Sequence, residues 1–223
     1  MKYLLVLLFV TVVFSNTVLD EIEDFGLEWT TDDRYSFYIQ TTEATVGQYK
    51  KCIDAGACDN DSVDHYGSTC TYSNYDDNYP INCVTYFGAE QFCNWIGGDL
   101  CTPDEWSDAC KGGNRNYNYP YGESFEEGRC NVATYEDRKT IQPIKSNELC
   151  VGGFDELYDM GGNVSEWLKT VDPRLPETYA KTAPAAYQGN HPGSERKICN
   201  KICGGTDKTS KFPPIGIRCC RNK

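Results

Sequence analysis

Thirteen cysteines in a chain of 223 residues limit what this sequence can fold into more than any other feature. Such a density is rare in a reducing compartment, and behind an export signal it reads as a disulfide framework. The first residues supply that signal. Lys2 gives a positive start, Tyr3 to Phe14 form an apolar run of 12 residues, and Val13 and Ser15 occupy the −3 and −1 places of a cleavage site. This is signal-peptide anatomy over residues 1–15, and it predicts a secreted or extracytoplasmic protein beginning at Asn16. The run is short of the ~20 apolar residues that span a bilayer. No later segment is apolar enough to span, and no cysteine follows the run before Cys52. The mature chain is therefore expected to be neither membrane-embedded nor lipid-anchored. Thirteen is odd, so one thiol is left free or available for an intermolecular disulfide.

A net charge of −12 repels phosphate backbones and argues against nucleic acid as a partner. It suits divalent cations without identifying a ligand. Residues 16–33 are acidic and aperiodic and read as an N-terminal arm, with one domain over 34–223. A strand is predicted from Tyr35, where Phe37 and Ile39 alternate with Tyr38 and Gln40. Val46, Tyr49 and Ile53 then recur at helical spacing up to Gly56. Residues 58–80 are polar and aperiodic, a long loop pinned by Cys58 and Cys70. A second helix is predicted over Tyr86–Ile96, stopped by Gly97-Gly98. A third starts at Thr102, with Pro103 in its first turn, Glu105 completing a capping box and Gly112-Gly113 closing it. Residues 171–198 hold four prolines and read as another loop. Ile215 to Cys220 reads as a final strand. Short strands and few helices amid long loops make an α+β class with little regular structure.

Little catalytic chemistry is visible. The two histidines, His65 and His191, sit in loops without a motif around either. A cysteine-only zinc site is not expected where disulfides form. Tyr66, Tyr72, Tyr75 and Tyr79 give one loop a composition suited to recognition, because tyrosine offers contact area at low entropic cost. Sequons stand at Asn60-Asp61-Ser62 and Asn163-Val164-Ser165; the first lies in a polar loop, the second in a tight turn motif.

A series of segments, in order, resembles one family. They are Thr42 to Tyr49, Tyr79-Pro80-Ile81-Asn82-Cys83-Val84, Ala89 to Trp95, Leu100 to Trp106, Tyr119-Pro120-Tyr121-Gly122, Leu157 to Trp167 and Gly216-Ile217-Arg218. Together they are similar to the motifs of the formylglycine-generating, or sulfatase-modifying factor, family over roughly residues 35–223. The resemblance implies a C-type-lectin-like α+β fold, disulfide-rich and low in regular secondary structure. That fold hosts an oxidase and also carbohydrate- and protein-binding members, so it does not fix function.

Family enzymes convert a sulfatase cysteine to formylglycine with copper held by two cysteines five positions apart, after a Gly-Gly-Ser-Trp-like motif. Here Gly204-Gly205 stand at that motif, but no cysteine falls between Gly205 and Cys219. The arginine-rich segment is missing, and no Trp occurs within Asn163-Val164-Ser165. Copper is therefore not expected. The leading expectation is a non-catalytic module binding an extracellular protein or glycan. Two alternatives remain open: a copper oxidase using the displaced pair Cys199 and Cys203, and a disulfide-linked extracellular structural component. The resemblance also implies structural calcium. One site would draw on Asp159, Gly162, Val164 and Glu166, a second on Asn131, Val132 and Asp137, with oxygen ligands as calcium prefers. Finally, it implies a Cys93–Cys219 bridge and leaves Cys110 to find a partner among Cys199, Cys203 and Cys220. Cys52 and Cys58 bridge locally, or either ties down Cys70.

Overall fold

The computed structural model describes residues 26–133, 139–184 and 198–223. Two four-stranded sheets carry the fold. The first contains β1 (Trp29–Thr30), β2 (Phe37–Gln40), β3 (Asp99–Leu100) and β8 (Cys219–Asn222) in the order β1-β2-β8-β3, with antiparallel pairing throughout. The second contains β4 (Ser165–Leu168), β5 (Tyr179–Thr182), β6 (Cys203–Asp207) and β7 (Ile215–Gly216) in the order β6-β5-β4-β7, with β4 and β7 parallel. Among the described residues four helices flank them: α1 (Val46–Asp54), the single turn α2 (Thr71–Asn74), α3 (Tyr86–Trp95) and α4 (Pro103–Lys111). Among the described residues no helix is long and apolar enough to cross a membrane.

Local chemistry explains the helices. Thr102 Oγ1 accepts from Glu105 N–H at 3.2 Å while the Glu105 carboxylate accepts from Thr102 N–H at 2.7 Å, so α4 opens on the capping box read from sequence. It closes on Gly112 in the left-handed region at φ 68°, where glycine avoids a Cβ clash. Helix α1 opens on a second such box, Thr45 with Gln48. α3 packs on α1 through Gly88, where a Cβ would sit 2.6 Å from the Tyr49 hydroxyl and from Ser62 Cβ.

Six disulfides join Cys52–Cys58, Cys70–Cys83, Cys93–Cys219, Cys101–Cys220, Cys110–Cys199 and Cys130–Cys150. Cys219 and Cys220 are neighbours on β8 and therefore point to opposite faces. Cys219 reaches α3 in a core built on Tyr49, Phe92, Trp167 and Ile217. Cys220 reaches Cys101 in a second core built on Trp106, Phe154, Leu157 and Met160. One strand thus rivets both cores.

Three sequence expectations change. The segment read as an arm over 16–33 contributes β1, because Trp29 and Thr30 pair with Gln40 and Ile39 of β2. The loop read over 171–198 contains β5, a strand too short and too polar, Tyr-Ala-Lys-Thr, to stand out beside its prolines. The final strand is two strands in different sheets, because the chain turns inward at Ile217-Arg218 to bury Arg218 completely. In the 58–80 loop, Cys58 and Cys70 each bridge away from the other. Cys58 anchors the start of the loop, before a 3₁₀ turn at Asn60–Ser62, and Cys70 anchors its middle, immediately before α2.

Candidate functional site

The inward turn of Arg218 creates a buried polar hub between the two sheets. Its guanidinium donates from Nε to Glu166 Oε1 at 2.7 Å, and from its two terminal nitrogens to the carbonyls of Gln40 at 2.8 Å and Tyr158 at 2.9 Å. The other Glu166 oxygen accepts from the Trp106 indole N–H. Asn163 is held at φ 61° beside Gly162, whose Cβ, were it present, would lie 2.8 Å from the Asn131 backbone. This geometry lets Asn163 Nδ2 donate to Glu43 Oε2 at 2.8 Å while its Oδ1 accepts from Asn131 Nδ2 at 3.1 Å. Glu43 Oε1 accepts from Val164 N–H at 2.8 Å.

Glu43, Asp159 and Glu166 are all buried, with Arg218 the buried cation among them. Burial pushes the Glu43 carboxyl well above the usual carboxylate range, the Asp159 charge adds to this, and Arg218 opposes it. Burial likewise raises Asp159 to about 6, against the hydrogen bond that its carboxylate accepts from Lys145 N–H at 2.9 Å. Glu43 and Arg218 were missed as site residues in the sequence, although both lie in motifs that carry the resemblance; a lone charged residue in an apolar motif is the signal that could have found them.

The expected calcium ligands divide. Glu166, expected to ligate calcium, accepts one hydrogen bond on each oxygen, from Arg218 and from Trp106. Arg218 thus supplies a counter-charge beside the set Asp159, Gly162, Val164 and Glu166. The second set differs. Asn131 Oδ1 is buried without a hydrogen-bond partner, an acceptor of the kind that calcium satisfies, next to Val132. Asp137 lies outside the described residues. Among the described residues, His, Cys, Asp and Glu form no cluster of three or more spaced to hold a metal.

The displaced cysteine pair is not a pair. Cys199 is bridged to Cys110, and Cys203, exposed on β6, is the only free thiol among all thirteen cysteines. The bridge between Cys93 and Cys219 is present, with a Cα separation of 5.5 Å. His65 stacks edge-on against Tyr72, and His191 lies outside the described residues.

The four tyrosines of the recognition loop separate as well. Tyr75 and Tyr79 pack together at 4.8 Å between ring centroids and against Ile141 and Val164. Tyr72 packs on the core around Phe92. Tyr66 alone is turned outward, 94% exposed. It lies at the mouth of a cavity of about 300 Å³ bordered by Asn60, Asp64, His65 and Lys211. A larger surface cavity, about 820 Å³, lies under Val171, Leu175 and Tyr179.

Comparison with known proteins places the scaffold. The chain is similar to the serine/threonine-protein kinase pkn1 of Chlamydia pneumoniae, 39% identical over 156 residues, which are 65% of this chain and 24% of that one. It is also similar to the inactive C-alpha-formylglycine-generating enzyme 2 of Bos taurus, 31% identical over 98 residues, 40% of this chain and 32% of that one. It therefore spans about a quarter to a third of the length of these relatives. The crystal structure of CarF superimposes with a TM-score of 0.64 at 18% identity, covering 88% of this chain and 93% of that one, a likeness of fold. The model of the sulfatase-modifying factor enzyme 1-like domain matches residues 27–223, from just before β1 through β8, and the chain belongs to that family.

Proposed function

We propose that this protein is a non-catalytic recognition module working outside the cytoplasm, which binds a protein or a glycan through its surface loops. The observation that carries this reading is the fate of the thiols. A copper(I) dithiolate needs two free cysteines, and with twelve of thirteen cysteines bridged only Cys203 remains. Six disulfides support an oxidising compartment, and the name of the bovine relative, an inactive enzyme, agrees with lost catalysis. Incubation with copper(I), oxygen and a cysteine-containing sulfatase peptide tests it. Mass spectrometry is expected to find no aldehyde, and aldehyde formation that disappears in Cys203→Ser would overturn the reading. Structural calcium at Asn131 and the Val132 carbonyl belongs to the same proposal.

A second reading, covalent assembly, is favoured by one observation: Cys203 is exposed on an edge strand. A dimer on a non-reducing gel that is absent in Cys203→Ser would support it.

A further inference from the structure

Tyr66 is an exposed aromatic held on a rigid turn. Asp64 Oδ1 accepts from the backbone N–H groups of both Tyr66 and Gly67, at 2.8 and 3.1 Å. Asp64 N–H donates in turn to the Cys83 carbonyl at 3.0 Å, and Val63 bridges Val84. Cys83 is itself tied to Cys70, so a disulfide closes the base of the loop. Beside Tyr66 the His65 ring stands edge-on to Tyr72, 4.7 Å between centroids, while its Nε2 lies 3.0 Å from the Asn60 carbonyl. These bonds fix the backbone that carries the exposed ring, which lowers the entropy lost when something stacks on it.

The rest of the cavity sets what that something is. Asp61 and Asp64 offer carboxylate acceptors, Asn60 an amide, and Lys211 an ammonium whose Nζ reaches the Val63 carbonyl at 3.2 Å. Acceptors and donors therefore share one small rim. A cation would meet Lys211, and an anion would meet two carboxylates on a chain of net charge −12. A neutral hydroxyl satisfies both kinds of partner at once, because it donates and accepts. A tyrosine face beside hydroxyl partners suits a ring with one apolar C–H face and a polar edge, and about 300 Å³ is at the small end of ligand cavities (~300–1,000 Å³).

We infer that Asn60, Asp61, Asp64, His65, Tyr66 and Lys211 form a subsite for a neutral hexose at the end of a glycan, with Tyr66 as the stacking platform. The inference rests on the recognition reading and names its ligand class. The test uses the chain made in a host that adds no N-glycans, so that Asn60 stays bare. It is applied to arrays of mannose-, galactose-, glucose- and N-acetylglucosamine-terminated oligosaccharides, their sialylated counterparts, and lysine- and arginine-rich peptides. Neutral glycans are expected to bind, the matching methyl glycoside to compete, and Tyr66→Ala to weaken binding at least tenfold with an unchanged unfolding midpoint. Val171→Ala, at the other cavity, is expected to leave binding unchanged. Preference for sialylated glycans or basic peptides, no binding to any neutral glycan, or full binding by Tyr66→Ala overturns the subsite. Binding to peptides, or to glycans through another loop, would still leave the recognition reading standing, whereas copper-dependent aldehyde formation would remove that reading whatever the sugars do.

Discussion

Arg218 shows how one side chain can set the chemistry of a protein interior. It neutralises Glu166 and ties Gln40 to Tyr158, yet it leaves Glu43 and Asp159 buried beside it with raised affinities for a proton. A carboxyl raised on folding holds its proton in the native chain where the unfolded chain has released it. That contribution is complete below the ordinary value near 3.8 and is lost as pH climbs through about 6. With a chelator present, the protein is expected to be more stable at pH 5 than at pH 7.5 by about 1–2 kcal/mol, read as a higher denaturant midpoint. Asp159→Asn should flatten the difference, and a midpoint that rises steadily from pH 5 to 7.5 would contradict it. Asn131 gives the complementary test. If calcium satisfies its orphaned oxygen, saturating calcium adds about 2–3 kcal/mol over chelator at a hundred times the dissociation constant. Calorimetry should show the wild-type melting temperature rising, and Asn131→Ser should lose that increment while melting lower in both buffers. Asn163, by contrast, spends its amide N–H groups on Glu43 and the Gln142 carbonyl.

At the scale of elements, what the sequence revealed followed the range of the interactions. Helix α4 is specified locally, by Thr102, Pro103, Glu105 and Gly112, and it forms where those residues place it. Thr102→Ala is accordingly expected to cost about 1 kcal/mol, measured by equilibrium unfolding, with Thr102→Ser recovering most of it. The split of the final strand depends on Glu166, 52 positions before its partner Arg218, and no local period records such a pairing. The same holds for the candidate site. The tyrosine-rich composition of residues 66–79 is visible in the sequence, but it is packing that turns Tyr75 and Tyr79 toward Ile141 and Val164 and leaves Tyr66 outside. The cysteine partners follow suit: the local Cys52–Cys58 bridge was one of the alternatives open from spacing, whereas Cys110–Cys199 needs α4 laid against the Ile198–Asn200 turn.

At the scale of the whole molecule, regular structure is sparse and cross-links do much of the holding. The Cys93–Cys219 and Cys101–Cys220 bridges span 126 and 119 positions and fasten one strand to both cores. Replacing Cys93 and Cys219 together by Ala is expected to cost about 4–5 kcal/mol on loop-closure grounds, seen as a lower denaturant midpoint; a change under about 1 kcal/mol would show that packing alone fixes β8. The placement of that strand also sets a timetable. Cys93 and Cys101 leave the ribosome well over a hundred residues before their partners, an interval of roughly 6–25 s at common synthesis rates of about 5–20 residues per second. Through that interval both thiols are exposed to earlier-made cysteines, such as Cys52, Cys58, Cys70 and Cys83, with which they can cross-link wrongly. A disulfide isomerase is therefore expected to raise the yield of oxidative refolding, and a nonsense mutation a few codons before residues 219 and 220 would release a chain with both cores unlatched.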